Sequence, residues 1–342
     1  MKGLVLAGST SLALAGVFVQ GTAGQAPATP AAATAHVNAA KAAARADFTG
    51  VFDRICPTAI APPSPSRPPA PAAAGARPGP PDRATWHAEP VKVFDNLYFL
   101  GQSEYSVWAV TTSAGIILID TIFDYSVEDE VVDGMKKLGL DPTQIKYAIV
   151  SHGHGDHSGG AKFLQDRYGT RIVLSAADWD LLDRSSGTKP RRDIVATDGQ
   201  KLTLGDTTIT MYITPGHTLG TISTVVPVRD RGTPHVAVAW GGTAFNWMGN
   251  PAPYVAPDKP IAFWFESYIA SSSRFREIAK QNGADVLIAN HTNFDGSKTK
   301  LPLVLARKTG QPNPYVIGED AVQRYMTVVH ECAQAGLAAN PR

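Results

Sequence analysis

The sequence predicts an α/β (α+β) fold in which two β-sheets pack as a sandwich, with helices covering both outer faces. Three observations lead there. Short β-type runs dominate from Trp86 onward, amphipathic helical segments alternate with them, and one set of strands then helices is followed by a comparable second set. No clear repeat is visible at the level of residues.

The chain of 342 residues is long enough for one large domain or two small ones, but its N-terminal part does not read as core. Met1-Lys2 precedes the mostly apolar stretch Gly3 to Val19 and then the small residues Gly21 to Ala26, which reads as a secretory signal over residues 1–25 with cleavage near Gly24 or Ala26. A retained membrane anchor is the rival reading, although Gly8, Ser9, Thr10, Ser11 and Gly16 interrupt the stretch and it is barely long enough to span. No cysteine lies near the cleavage point, which argues against a lipoprotein. The expected location is periplasmic or secreted, with no membrane contact after cleavage.

Residues 26–85 form an Ala/Pro-rich extension, densest at Pro62-Pro-Ser-Pro-Ser-Arg-Pro-Pro69 and Ala76-Arg-Pro-Gly-Pro-Pro81, where an extended polyproline-like chain is expected. Within it, His36 to Ile55 predicts a short helix with Val37, Ala40, Ala44, Phe48 and Phe52 along one stripe. Cys56 follows, and the only other cysteine is Cys332. In an oxidising compartment the two invite a disulfide tying the N-terminal segment to the C-terminal helix; two unrelated thiols are the alternative.

The main domain is placed at residues 86–310. Val91 to Leu100, Ser106 to Thr111 and Gly115 to Asp120 are β-type runs broken by turn residues, which suits an antiparallel meander. Val127, Val131, Met135 and Leu138 recur at helical spacing over Val127 to Leu140, Pro142 ends that segment, and Lys146 to Val150 is the next strand. Helices are then expected at Ala161 to Tyr168, Ala176 to Arg184 and Phe265 to Gln281. Strands are expected at Arg171 to Leu174, Thr207 to Ile213, Thr221 to Pro227, His235 to Trp240 and Asp285 to Ala289. Residues 311–342 form a C-terminal extension in which Val322, Tyr325, Met326 and Val329 share one helical face, for packing on the domain or for dimerisation.

With 31 basic and 30 acidic residues the chain is nearly neutral, so neither nucleic acid nor an anionic membrane surface is an expected partner; a small molecule is. Whether the chain is a monomer or a homo-oligomer is open at this level.

Residues 151–160 carry the chemistry: Ser-His-Gly-His-Gly-Asp-His-Ser-Gly-Gly, directly after the apolar run Tyr147 to Val150. Three of the nine histidines fall within the six positions His152 to His157 together with Asp156, a density that a chance polar loop does not explain. Imidazole nitrogens and a carboxylate suit zinc, and the alternating glycines let the backbone turn tightly enough for neighbouring side chains to converge. The motif begins at the C-terminal end of a strand, where loop residues stand on a rigid base. Four ligands do not fill two metal sites. His217, in Thr214-Pro-Gly-His217-Thr, and His291, in Asn290-His291, also stand at strand ends and are the candidates for the remainder; each taken alone reads as a polar loop residue.

This pattern resembles the metallo-β-lactamase superfamily over about Lys92 to Asp295, on His152-x-His154-x-Asp156-His157, Thr214-Pro-Gly-His217-Thr, Trp240-Gly-Gly-Thr243 and Asn290-His291. The resemblance implies an αββα four-layer sandwich with two zinc ions per chain in the groove between the sheets. It further implies that His152, His154 and His217 hold the first zinc and Asp156, His157 and His291 the second, with a bridging hydroxide in the open positions. One departure narrows the branch. Many hydrolases of the superfamily, such as glyoxalase II and the acyl-homoserine lactonases, bridge the metals with an aspartate after the late strand, where this chain has Thr243. One β-lactamase subclass has cysteine there. What is left resembles the β-lactamase subclass with His-His-His and Asp-His-His zinc sites.

The resemblance therefore implies an exported dinuclear zinc hydrolase, an antibiotic-resistance β-lactamase. The zinc-bridging hydroxide would attack the ring carbonyl while Asp156, the catalytic residue, orients the hydroxide and helps pass a proton to the leaving nitrogen. Thr243 and Asn246 are the candidates for hydrogen bonds to the substrate carboxylate. A zinc hydrolase of another lactone, ester or amide is the alternative, and a non-hydrolytic member such as an iron oxygenase the third reading. Trp108, Phe123, Tyr125, Phe245 and Trp247 are either pocket walls or ordinary core, with core the more usual fate. Ser158 is a possible cap of the helix after the motif.

Overall fold

The computed structural model describes residues 30–64 and 80–340; the expected signal over residues 1–25 lies outside them. In chain order the elements are α1 (Ala31–Ala44), α2 (Thr49–Ile60), β1 (Val91–Lys92), β2 (Leu97–Phe99), β3 (Trp108–Thr112), β4 (Gly115–Ile119), a π-helical turn (Val127–Val132) running into α3 (Asp133–Lys137), and β5 (Ile145–Ile149). There follow α4 (Gly155–Ser158), α5 (Ala161–Tyr168), β6 (Arg171–Ser175), α6 (Ala176–Arg184), β7 (Ile194–Ala196), β8 (Lys201–Leu204), β9 (Thr207–Ile213), β10 (Ile222–Asp230) and β11 (Thr233–Ala239). The chain closes with α7 (Asn246–Gly249), α8 (Ile261–Gln281), β12 (Val286–Ile288), α9 (Ser297–Leu305) and α10 (Glu319–Ala339).

The strands form a seven-stranded sheet in the order β1 to β7 and a five-stranded sheet in the order β12-β11-β10-β9-β8. Strands β1 to β4 pair antiparallel and β4 to β7 parallel. The second sheet is antiparallel except between β11 and β12.

Period-two alternation of side chains divides the core into layers. On β4, Ile117 and Ile119 face the second sheet, where they meet Ile209, Met211, Val226 and Ala237. Their neighbours Ile116 and Leu118 face outward onto Val131, Met135, Leu164 and Trp179 from the helices. On the second sheet Val238 and Leu287 point the other way, onto α2, α8 and α10. Four layers result, helices on sheet on sheet on helices, and the central strands are apolar on both faces because both faces are covered.

Several boundaries differ from the sequence expectation for physical reasons. The single helix expected at His36 to Ile55 is two, because the chain turns at Arg45, whose φ is 48°. The run Val91 to Leu100 is a hairpin, β1 and β2, folded about Asp95-Asn96. The helix expected over 127–140 starts as a π-turn and ends at Lys137. Strands β7 and β8 and helix α9 were not foreseen. The β8–β9 hairpin turns on Gly205-Asp206, with Gly205 at φ 56°, a conformation that glycine adopts without strain.

Cys56 on α2 and Cys332 on α10 form a disulfide across 276 residues of sequence. Helix α10 packs between the α1–α2 pair and α8, burying Val322, Tyr325, Met326 and Val329. Among the described residues no helix is long and apolar enough to cross a membrane.

Candidate metal centre

The loop after β5 is shaped by two buried carboxylates. Asp120, at the end of β4 in the left-handed region with φ 65°, accepts the Ser151 backbone N–H at 2.6 Å and the Ser151 hydroxyl at 3.0 Å. Asp178 on α6 accepts the Gly153 N–H at 2.9 Å, the Thr218 hydroxyl at 2.7 Å and the Gly220 N–H at 2.9 Å, so one side chain ties the histidine loop to the loop that carries His217. Ile122 also has a positive φ of 48°, an outlier for a β-branched residue, which places backbone strain beside the loop.

His152, His154 and His217 converge. Nε2 of His217 lies 3.1 Å from Nε2 of His152 and 3.2 Å from Nδ1 of His154. Three nitrogens on one tetrahedral zinc stand about 3.3 Å apart when each bond is about 2.05 Å, so the spacing fits one ion. The far nitrogens decide which atoms carry protons: Nδ1 of His152 donates to the Gly241 carbonyl at 2.9 Å and Nδ1 of His217 to the Ala244 carbonyl at 2.6 Å. Both Nε2 atoms are therefore bare lone pairs facing each other, so neither can donate to the other and a cation between them satisfies both. Burial, then mutual repulsion, holds His152 far below the ordinary histidine range and His217 down to about 3; burial alone leads in holding His154 at about 4. All three are neutral at neutral pH, as metal ligands must be.

A second group adjoins the first. Asp156 Oδ2 lies 3.2 Å from Nε2 of His157 and 3.7 Å from Nε2 of His291, and the two Nε2 atoms are 3.2 Å apart. His152 stands within reach of Asp156 and His157 as well as of the first group. Nδ1 of His157 donates to Asp120 Oδ2 at 2.9 Å. Burial disfavours charge on His157, but Asp156 and Asp120 override it and raise its pKa to about 10, so a divalent cation binding at Nε2 would have to displace a proton there; burial pushes His291 down to about 3. Burial would likewise raise Asp156, but the surrounding histidines, His157 first, pull its carboxyl well below the usual range, so it is ionised. Five imidazoles and one carboxylate, with no thiolate, fit divalent zinc.

The close approach of the segment after β11 to this centre depends on Gly242. A Cβ there would overlap the Cβ of His217. Asn290 donates to the Gly241 carbonyl at 2.9 Å and so fixes the strand end that His152 leans on.

Two sequence expectations are corrected. Thr243 is buried, with its hydroxyl paired to that of Tyr325 on α10 at 3.2 Å, so it supports the fold and is not available to a substrate. Ser158 does not cap α5; its hydroxyl donates back to the His154 carbonyl at 2.9 Å. Asn246, at the start of α7, is exposed. Trp108, Phe245 and Trp247 are core, whereas Phe123 and Tyr125 stack on one another beside Tyr105, whose ring lies 5.0 Å from that of His291.

Asp120, Asp178 and Tyr254 went unforeseen. Tyr254 places its hydroxyl 2.8 Å from Nε2 of His154. Asp120 ends a run already read as a strand, and an acidic residue there was the one available signal; nothing in Pro-Ala-Pro-Tyr254 marks the tyrosine.

Residues 100–231 match the Metallo-beta-lactamase superfamily. A hydroxyacylglutathione hydrolase of Acidiphilium cryptum is 29% identical over 156 residues, 41% of this chain and 58% of that protein. An N-acyl homoserine lactonase of a Bacillus species is 26% identical over 156 residues, 44% of this chain and 58% of that protein. The chain thus spans under two thirds of the length of these curated relatives. Among solved structures, BJP-1, a subclass B3 metallo-beta-lactamase of Bradyrhizobium japonicum, superposes with a TM-score of 0.60 at 27% identity, covering 72% of this chain and 93% of that one. The FEZ-1 metallo-beta-lactamase of Legionella gormanii gives 0.60 at 25%, covering 70% and 91%.

Proposed function

We propose that this chain, which matches the metallo-beta-lactamase superfamily over residues 100–231, is an exported hydrolase that holds two zinc ions and opens β-lactam rings. His152, His154 and His217 hold one ion, and Asp156, His157 and His291 the other. Bound there, zinc supplies Lewis-acid polarisation of a carbonyl and an acidified water at neutral pH. The observation that carries the reading is the pair of bare Nε2 atoms of His152 and His217 at 3.1 Å beside the Asp156 group, with no further carboxylate at Thr243. Thr243 also sets this chain apart from the superfamily branches expected to bridge their metals with an aspartate.

The protein's own groups divide the remaining work. Asp156 stays ionised and is placed to take a proton from the attacking water and return it to the leaving nitrogen. Asp120 orients His157 through Nδ1. Because Nδ1 of His154 faces the metal group, its Nε2–H donates to Tyr254, leaving the phenol's own hydrogen to point elsewhere in the groove. Burial pushes the Tyr254 phenol up to about 12, so it keeps that hydrogen at neutral pH. The Cys56–Cys332 disulfide supports export to an oxidising compartment.

The solved relatives, which are metallo-beta-lactamases, favour β-lactams; the curated relatives, a hydroxyacylglutathione hydrolase and a lactonase, favour a second reading, hydrolysis of a thioester or lactone. A panel of penicillins, cephalosporins and carbapenems, run beside an acyl-homoserine lactone and an acylglutathione on zinc-loaded protein, separates them. Turnover of β-lactams that disappears in His154→Ala is expected; turnover of only the thioester or lactone would replace the first reading with the second.

A further inference from the structure

Helix α2 lies outside the matched superfamily region, yet it forms a wall of the cavity next to the metal centre. That cavity, of about 440 Å³, is lined by Arg54 and Thr58 from α2, by Asn246 and Asn250 from α7 and its end, and by Pro253 and Tyr254. Tyr254 is the residue whose hydroxyl meets His154, and the Asn246 side chain lies against the same phenol. The cavity is therefore continuous, through one side chain, with the first metal group.

Positions 50, 54 and 58 fall on one face of α2 at i, i+4 and i+8. Gly50 is packed so closely on the loop after His291 that a Cβ there would lie 2.9 Å from the Asn293 carbonyl oxygen, which sets the height of the helix over the site. Arg54, one turn on, is exposed, and among the described residues it forms no ion pair and is the only charged residue lining the cavity. The adjoining stripe of Val51, Ile55 and Ala59 is buried, and Cys56 is covalently tied to α10, so the helix that presents this guanidinium is held from behind. The hydroxyl expected to receive a substrate carboxylate, that of Thr243, is instead used up by Tyr325.

We infer that Arg54, with the Asn246 amide beside it, binds the carboxylate of the substrate, so that specificity for anionic substrates is supplied by the N-terminal helical hairpin. This rests on the reading of the adjoining centre as hydrolytic. A guanidinium offers a carboxylate two parallel N–H donors, and an amide of Asn246 can add a third.

The test compares wild type, Arg54→Gln and Arg54→Lys, each zinc-loaded, with zinc content and Tm measured to establish that fold and metal centre are unchanged. Kinetics use benzylpenicillin and its neutral methyl ester. Calorimetric titration with ring-opened benzylpenicillin and with its neutral diester reads anion binding whether or not the ring is opened by this protein. The expected result for Arg54→Gln is a KM for benzylpenicillin and a Kd for the ring-opened acid each raised about tenfold or more, with kcat and both neutral esters changed less than about twofold and Arg54→Lys between. Wild-type affinity for the acid in Arg54→Gln, or no binding of the acid by wild type, overturns the assignment. Binding that depends on Arg54 without turnover of any β-lactam leaves the assignment standing and rejects the β-lactam reading alone.

Discussion

The hydroxyl of Tyr254 lies 2.8 Å from Nε2 of His154, joining a loop far along the chain to the one imidazole of the first metal group whose outward nitrogen no backbone carbonyl engages. Removing that hydroxyl leaves an Nε2–H without its acceptor. For Tyr254→Phe a loss of about tenfold to a hundredfold in zinc affinity or kcat is expected, the usual effect of deleting a partner of a metal-bound histidine. Zinc titration and steady-state kinetics on the same preparation measure both; unchanged values in each would show that the ring is held by packing alone.

Gly242 passes too close to His217 to admit a side chain. Gly242→Ala should push His217 away from His152 and His154 and leave the protein with at most one tightly held zinc after dialysis, while the far-ultraviolet circular dichroism is unchanged. Full zinc content after dialysis would contradict the placement.

Thr243 supports structure. Thr243→Val strands the buried Tyr325 hydroxyl and should cost about 1–3 kcal/mol of unfolding free energy, with KM for any substrate unaltered. A raised KM at wild-type stability would return Thr243 to the substrate groove.

The disulfide joins segments 276 residues apart. Cys56→Ser should lower stability by about 2–5 kcal/mol, and, because Arg54 is two residues away, raise KM more for anionic than for neutral substrates. Urea unfolding and the paired substrates read the two effects separately.

Burial raises the carboxyl of Asp295 to about 6 from the ordinary 3.8, against backbone donors at Ala289 and Ser297. The native state therefore takes up this proton before the unfolded state does. Its contribution favours the native state as pH falls from about 6 to about 4 and is lost as pH rises through 6, on the order of 3 kcal/mol in all. The urea midpoint of metal-free wild type should rise relative to that of Asp295→Asn as pH falls from about 6 to about 4; a pH-independent difference between them would refute it.

The candidate metal loop was legible in the sequence because its donor residues crowd into His152 to His157, and the two remaining histidines sit at strand ends that periodicity identifies. Strand β8 was legible too, in Lys201-Leu-Thr-Leu before Gly205-Asp206, and was passed over because four residues are too few to show a period. The break between α1 and α2 was not, since Arg45 is an ordinary helix former and the packing of both helices on α10 leaves no mark at that position of the sequence.

By itself, the sequence determined the layered α/β class, the ends of the strands that bear the motif, and a donor set that fits a divalent metal, because periodicity and ligand spacing are local properties. Tertiary structure alone decided what surrounds those ligands. Asp120, Asp178 and Tyr254 reach the site from distant segments, Thr243 is turned away from it by Tyr325, and Arg54 is brought beside it by a helix held to α10 through Cys56. Each depends on which segments pack against which, and side-chain partners far apart in the chain leave no periodic trace along it.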